Sequence, residues 1–238
     1  AHLAVDNSML SPIFQQPLSL GADIVVHSAT KFLCGHSDVT AGALITNDPA
    51  LHRQFAFQQN AEGAGLSPFE SWLLLRGLKT LALRVERQSN SALKIARFLQ
   101  TRVEVAQVFY PGLDDDPGRE IHNRQASGSG AVISFTTTDE KLSAEIVETT
   151  RLFKIAVSFG SVGSTISLPC RMSHASIPGA LRDRLAPPSD LVRLSVGIED
   201  VDDLISDLEQ ALCAKKHKTM KDQVSTGSGS DRVPVLTR

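Results

Sequence analysis

Lys31 stands in the run Ser28-Ala29-Thr30-Lys31-Phe32, just after the β-branched stretch Ile24-Val25-Val26 and shortly before Gly35. A lysine at the end of a buried strand, flanked by two hydroxyls, suits a Schiff base to pyridoxal 5′-phosphate (PLP). A lone lysine in such a place is more often a surface residue in a strand-to-loop turn, so the rest of the chain must decide. PLP also needs a carboxylate facing its pyridine nitrogen. Asp6 ends an earlier apolar run, His2-Leu3-Ala4-Val5, 25 positions before Lys31. Parallel neighbouring strands would bring Asp6 and Lys31 to one carboxyl edge, where open α/β sheets place ligands. Ser28 and Thr30 offer hydroxyl donors for the phosphate. An aromatic ring to stack on the cofactor has no candidate here, since Tyr110, the one tyrosine, lies far along the chain.

These residues require a sheet beneath them. Three apolar runs, His2–Val5, Ala22–His27 and Thr40–Thr46, read as strands covered on both faces. Pro12 and Pro17 mark a connection between the first two. Asn47-Asp48-Pro49 signals a turn and a capped helix start, and Ser67-Pro68-Phe69-Glu70 has the form of a capping box. The helix that follows runs through Trp72 to Arg76 and is expected to break at Gly77. A second, from about Thr80 to Gln100, places Leu81, Val85, Ala92, Ala96 and Leu99 on one face. Beyond it, Val105–Tyr110, Gly130–Phe135, Ile155–Ser158 and Arg193–Val196 read as strands. Glu140–Leu152 reads as a helix, and Glu199, Asp200, Asp202 and Asp203 open a final helix to about Leu212. The expected organisation is α/β. Residues 1–78 form the cofactor-binding part with a mainly parallel sheet, and 79–213 a smaller α+β domain. Residues 214–238 form a disordered polar tail carrying about +4 net charge.

The 238 residues are 42% hydrophobic and 21% charged, ordinary for a globular chain. A formal net charge of −2 gives no field to attract nucleic acid or an anionic membrane. No apolar run approaches the ~20 residues of a membrane span. Cys34, Cys170 and Cys213 have no metal-ligand spacing and read as free thiols, with no metal expected. His2–Val5 already reads as a central strand, so the chain is expected to lack an N-terminal part.

Several further stretches carry a resemblance. Val5-Asp6-Asn7-Ser8, the lysine run with Gly35-His36-Ser37-Asp38, and Trp72-Leu73-Leu74-Leu75-Arg76-Gly77-Leu78-Lys79-Thr80 are similar to the Cys/Met-metabolism family of PLP enzymes, fold type I. So are Ser173-His174-Ala175-Ser176 and Arg193-Leu194-Ser195-Val196-Gly197-Ile198-Glu199-Asp200. The likeness extends from residue 1 to about 212. It implies the C-terminal part of a fold type I large domain followed by a small domain. It also implies an aldimine on Lys31, Asp6 on the ring nitrogen, Ser28 and Thr30 on the phosphate, and Arg193 on the substrate α-carboxylate.

Ala156-Val157-Ser158-Phe159-Gly160, followed by Pro169-Cys170, resembles the plant-type β-eliminating carbon–sulfur lyases of that family, with Ser158 at the substrate. Its γ-acting relatives usually carry a glutamate where this chain has Val157. The implied reaction is α,β-elimination of L-cystathionine to homocysteine, pyruvate and ammonia in methionine biosynthesis by transsulfuration, in a homotetramer. Plastid localisation follows from the plant-like resemblance, with the cytoplasm as the alternative and no targeting segment in the chain. A reading of another class is a non-catalytic fragment, because the expected missing part supplies a glycine-containing phosphate loop and the stacking tyrosine in the family. His36 and His174 read as structural, and Glu199 and Asp200 as residues of a helix start.

Overall fold

Two β-sheets carry the chain, and the computed structural model describes residues 1–172 and 186–225. The motif Ser173-His174-Ala175-Ser176, with His174, and residues 226–238 of the expected tail lie outside the described residues.

In the first sheet, β1 (Ala4–Asp6) pairs in parallel with β2 (Ile24–Ser28), with Asp6 opposite Val26. β3 (Gly42–Ile45) lies on the other side of β2 and runs antiparallel, with Ser28 opposite Gly42. The apolar runs gave no sign of this reversal. Residues 29–41 hold no crossover helix, and without one the chain can return beside β2 only in the opposite direction. Val25 and His27 of β2 are buried, whereas Leu3, Leu44 and Ile45 at the two edges are exposed.

α1 (Ser11–Phe14) and a 3-10 turn (Pro17–Leu20) occupy the stretch expected to be a plain connection. Each opens on or beside a proline and is too short to show a period. α2 (Pro49–Glu62) is capped by Asp48, whose Oδ1 accepts from the Ala50 N–H at 2.7 Å. α3 (Pro68–Leu78) is capped by Ser67, whose Oγ accepts from the Glu70 N–H at 3.2 Å. The break before α4 (Leu81–Gln100) falls at Lys79 and Thr80 rather than at Gly77. Gly77 lies inside α3 for a packing reason: a Cβ there would sit 2.4 Å from the Cys34 carbonyl oxygen.

The second sheet has the order β4-β5-β8-β7-β6. Its strands are β4 (Val105–Phe109), β5 (Val132–Thr137), β6 (Lys154–Ile155), β7 (Thr165–Ser167) and β8 (Leu191–Ser195). Only β6 and β7 pair in parallel. β7, with one apolar residue in three, left no alternation to read. The expected strand Ile155–Ser158 pairs as a strand only at its start, and the Ser158 carbonyl stays tied to β7 by accepting from Thr165 Oγ1 at 3.0 Å. α5 (Arg119–Gln125) precedes β5, and α6 (Glu140–Thr149) and α7 (Val201–Ser225) follow.

α4 packs on β4 and β5, α6 on β5 and β8, and α7 against both helices. Ile95, Leu99, Ile133, Phe135, Ile146, Leu194, Leu204 and Leu208 are fully buried between these layers. Buried Asp207 closes the turn after α6 by accepting from the N–H groups of Arg151, Leu152 and Phe153 at 2.8, 2.8 and 3.3 Å. α7 continues through residues 214–225, beyond the expected start of the disordered tail. Between Leu212 and Gly227 the sequence has no glycine or proline to stop it. No helix among the described residues is long and apolar enough to cross a membrane.

Candidate active site

β2 delivers the chain to the sheet edge at Ser28, where a tight turn begins. The Lys31 N–H donates to the Ser28 carbonyl at 3.1 Å, and the Gly35 N–H donates to the Lys31 carbonyl at 2.8 Å. Ala29, Phe32 and Cys34 are buried beneath this turn, so the backbone is anchored while the lysine side chain projects. Lys31 Nζ donates to Ser158 Oγ at 3.0 Å and lies 4.6 Å from the centre of the Phe159 ring. Arg193, on β8, approaches the same ring at 5.5 Å, and its Nη2 donates to the Val157 carbonyl at 2.7 Å. Burial, reinforced by the Arg193 charge, pushes the Lys31 amine below the ordinary lysine value. Phe159 thus stands beside two cations, a favourable pairing for an aromatic face.

Asp6 ends β1 at the carboxyl edge that β2 shares. No hydrogen bond or ion pair joins it to Lys31 among the described residues. The Ser8 hydroxyl and N–H, the latter at 2.9 Å, hold its carboxyl below the usual range, and nearby His27 adds to this against the opposing effect of burial. His27 itself is pushed down by burial, with Asp6 opposing. Its Nδ1 and Asn7 Oδ1 are both buried with no partner among the described residues.

A pH dependence follows. Below about pH 6.5 the unfolded chain protonates His27 while the folded chain resists. Stability is therefore expected to be complete above that pH and to decline on acidification below it, as the folded-state imidazole resists the proton that the unfolded chain accepts. His27→Gln should flatten the decline, as measured by urea unfolding at several pH values.

The two hydroxyls differ. Among the described residues the Ser28 hydroxyl has no partner. Thr30 Oγ1 accepts from the Ala41 N–H at 2.9 Å and donates to the Ala41 carbonyl at 3.3 Å, a long bond for which an anion can compete. The donor set fits PLP: an amine of depressed pKa, a carboxylate held ionised on the adjacent strand, and hydroxyls beside the amine. The structure brings Lys31, Ser158 and Arg193 around Phe159, and Asp6, Ser28 and Thr30 along one sheet edge.

Phe159 was not singled out from the sequence, nor were the residues that hold the two site segments. Arg84 is buried on α4, and its guanidinium donates to the carbonyls of Phe32 (2.9 Å), Leu33 (3.3 Å) and Gly77 (2.9 Å) and to Thr80 Oγ1 (3.1 Å). Gln88, one turn on, donates from Nε2 to the Ser161 and Val196 carbonyls at 2.8 and 2.9 Å. Ser195 Oγ accepts from the Gly160 N–H at 2.9 Å. Glu199 does not serve the helix start. Its carboxylate accepts from the Ser164 N–H at 2.7 Å and Oγ at 2.9 Å, while Asp200 caps α7 through the Asp202 N–H at 2.9 Å. The signal for Arg84 and Gln88 was their place in the mainly apolar buried stripe of α4.

His36 shapes the lysine turn as read, with Nδ1 2.7 Å from the Cys34 carbonyl. Cys34 donates to Asp38 Oδ1 at 3.1 Å, and burial pushes its thiol up to about 11, away from nucleophilic use. All three cysteines are free.

The family model described as "Cys/Met metabolism PLP-dependent enzyme" matches residues 1–213. The chain is 56% identical over 211 residues to the chloroplastic cystathionine beta-lyase of Arabidopsis thaliana, covering 89% of this chain and 46% of that protein. It is 50% identical over 213 residues to cystathionine gamma-synthase of Mycobacterium bovis, covering 89% and 54%. Among solved structures, the cystathionine gamma synthase of Xanthomonas oryzae pv. oryzae, in complex with aminoacrylate and cysteine, superposes with a TM-score of 0.88 at 41% identity. That match covers 91% of this chain and 56% of the other. The chain therefore spans about half the length of the curated relatives it matches.

Proposed function

This chain belongs to the Cys/Met metabolism PLP-dependent enzymes, and on that premise we propose that the whole protein splits L-cystathionine into homocysteine, pyruvate and ammonia. The observation that carries this reading is half-exposed Val157, next to the Ser158 that receives the Lys31 amine. An apolar side chain there offers no charge to the far end of a γ-reacting substrate, where γ-acting relatives usually carry glutamate.

Lys31 would hold the cofactor covalently, with Asp6 toward its ring nitrogen and Ser28 and Thr30 toward its phosphate. Bound PLP supplies the electron sink that a carbanion at Cα requires. The remaining work falls to the chain. The depressed pKa of Lys31 favours the free amine, which takes the Cα proton as general base. Ser158 accepts a hydrogen bond from that amine and so aims it. Arg193 grips the α-carboxylate with two parallel donors, exchanging its bond to the Val157 carbonyl for a charged one. Phe159 shields both groups from water. The Cβ–S bond breaks with its electron pair leaving on sulfur, which takes up a proton to give homocysteine. Water converts the remaining three-carbon unit to pyruvate and ammonia.

The gamma-synthase likeness supports the γ-acting alternative within the family. Product analysis decides between them. From L-cystathionine the whole enzyme is expected to release pyruvate with little 2-oxobutyrate, and predominant 2-oxobutyrate would overturn the β-lyase reading. A homotetramer of methionine biosynthesis in a plastid completes the proposal, the address resting on the chloroplastic relative.

A second reading is that these residues alone bind cofactor weakly and do not turn over. It is favoured by the coverage of about half the length of the relatives.

A further inference from the structure

The contact between Lys31 and Ser158 joins segments that belong to different sheets and that also meet where Gly160 lies against the Phe32 backbone and the Phe32 and Phe159 rings lie 6.2 Å apart. α4 ties both of them from one face. Arg84 grips the turn that carries the lysine at the Phe32 and Leu33 carbonyls, and its guanidinium fills the space above Gly35, where a Cβ would overlap Nη1. Gln88 lies four residues on, on the same buried stripe, and spends both Nε2 protons on the Ser158 side: one on the Ser161 carbonyl and one on the Val196 carbonyl that follows β8. A further clasp joins the segments directly, with the Val162 N–H donating to the Gly35 carbonyl at 2.9 Å. Gln88 is fully buried, and its Oε1 has no partner among the described residues. A side chain kept there with an unpaired oxygen is held for what its nitrogen does, since an apolar residue of similar volume would avoid that cost.

We propose that Gln88, together with Arg84 one turn before it, is a positioning residue that sets the approach of the Lys31 amine to Ser158. This rests on the reading of Lys31 as the cofactor-bearing base, but its test does not. Arg84 fixes where the lysine leaves the backbone. Gln88 fixes the Ser158–Ser161 segment against the end of β8, the strand that also carries Arg193. Without Gln88 the segment bearing Ser158 and Phe159 lifts away, and the amine regains water.

The test is a pH titration of Lys31 in the full 238-residue chain, by trace acetylation at a series of pH values with each lysine read from its own peptide. Neither PLP nor substrate is added, so a failure of the lyase reading leaves this result standing, and the reverse holds too. In Gln88→Met and the milder Gln88→Asn the Lys31 midpoint is expected to shift upward, towards the ordinary lysine value, because desolvation holds it down in the parent chain. Ile146→Ala, a core truncation on α6, should weaken the fold without moving that midpoint. An unchanged midpoint in both folded Gln88 variants would overturn the proposal, and so would an equal shift in Ile146→Ala. If neither Gln88 variant folds, Gln88 is a residue of the fold and the positioning role falls.

Discussion

Lys31→Ala is expected to abolish the yellow colour that PLP develops with the chain and to cut turnover of the whole enzyme by roughly 10⁴-fold or more. On the proposed reading two functions are lost together, since the same amine would carry the cofactor and take the Cα proton. Ala29, Phe32 and Cys34 bury the backbone of the turn, while among the described residues the Lys31 side chain bonds to Ser158 and approaches Phe159 and the Arg193 charge. The variant should therefore fold normally, with an unfolding midpoint close to that of the parent. Activity retained in folded Lys31→Ala would remove Lys31 from the chemistry. If the chain develops no colour even with Lys31 present, its donors alone do not suffice to hold PLP, as the second reading holds.

Arg84→Met should bring the largest loss of stability, about 3–5 kcal/mol, because it removes the donors of three carbonyls in a buried site. The guanidinium reaches the carbonyls of Phe32 and Leu33 on one side and of Gly77 on the other, with Thr80 Oγ1 completing its coordination. Methionine fills much of the volume but donates nothing. Arg84→Lys should lose less yet remain well below the parent, because an ammonium cannot present the planar fork that spans α3 and the lysine turn. Urea unfolding of the three proteins checks the order. A loss in Arg84→Met below about 1 kcal/mol would mean that water replaces the guanidinium at low cost.

Much of the site's framework was legible because strand ends and caps leave local signals. Asp6 and Lys31 follow apolar runs, and the parallel pairing of β1 and β2 sets both at one edge. Asp48 and Ser67 cap the helices their sequences announced. Ser158 and Arg193 were legible only through family likeness, because nothing local marks a serine in a loop or an arginine in a strand as a partner of Lys31. Phe159 escaped notice because its role exists only once two cations converge on its ring. Arg84 and Gln88 were hidden by the periodicity that revealed α4, in which a buried stripe is read by its apolar members. Asking of each polar side chain in such a stripe which carbonyls it serves would have found both. The antiparallel turn of β3 and the short β7 depend on partners far along the chain, which no local window contains.

The Lys31–Ser158 bond closes a loop of 127 residues. At synthesis rates of about 5–20 residues per second, roughly 6–25 s separate the emergence of its two ends. Throughout that interval a nascent chain presents Asp6, Ser28, Thr30 and Lys31 with no serine to aim the amine and no Arg193 beside it. A cofactor arriving then meets a lysine whose environment is still that of an open turn. Capture and aiming are thus separated in time. On the proposed reading the amine is aimed only once β8, made after Lys31, has brought Arg193 and held the Ser158 segment through the Gly160–Ser195 bond.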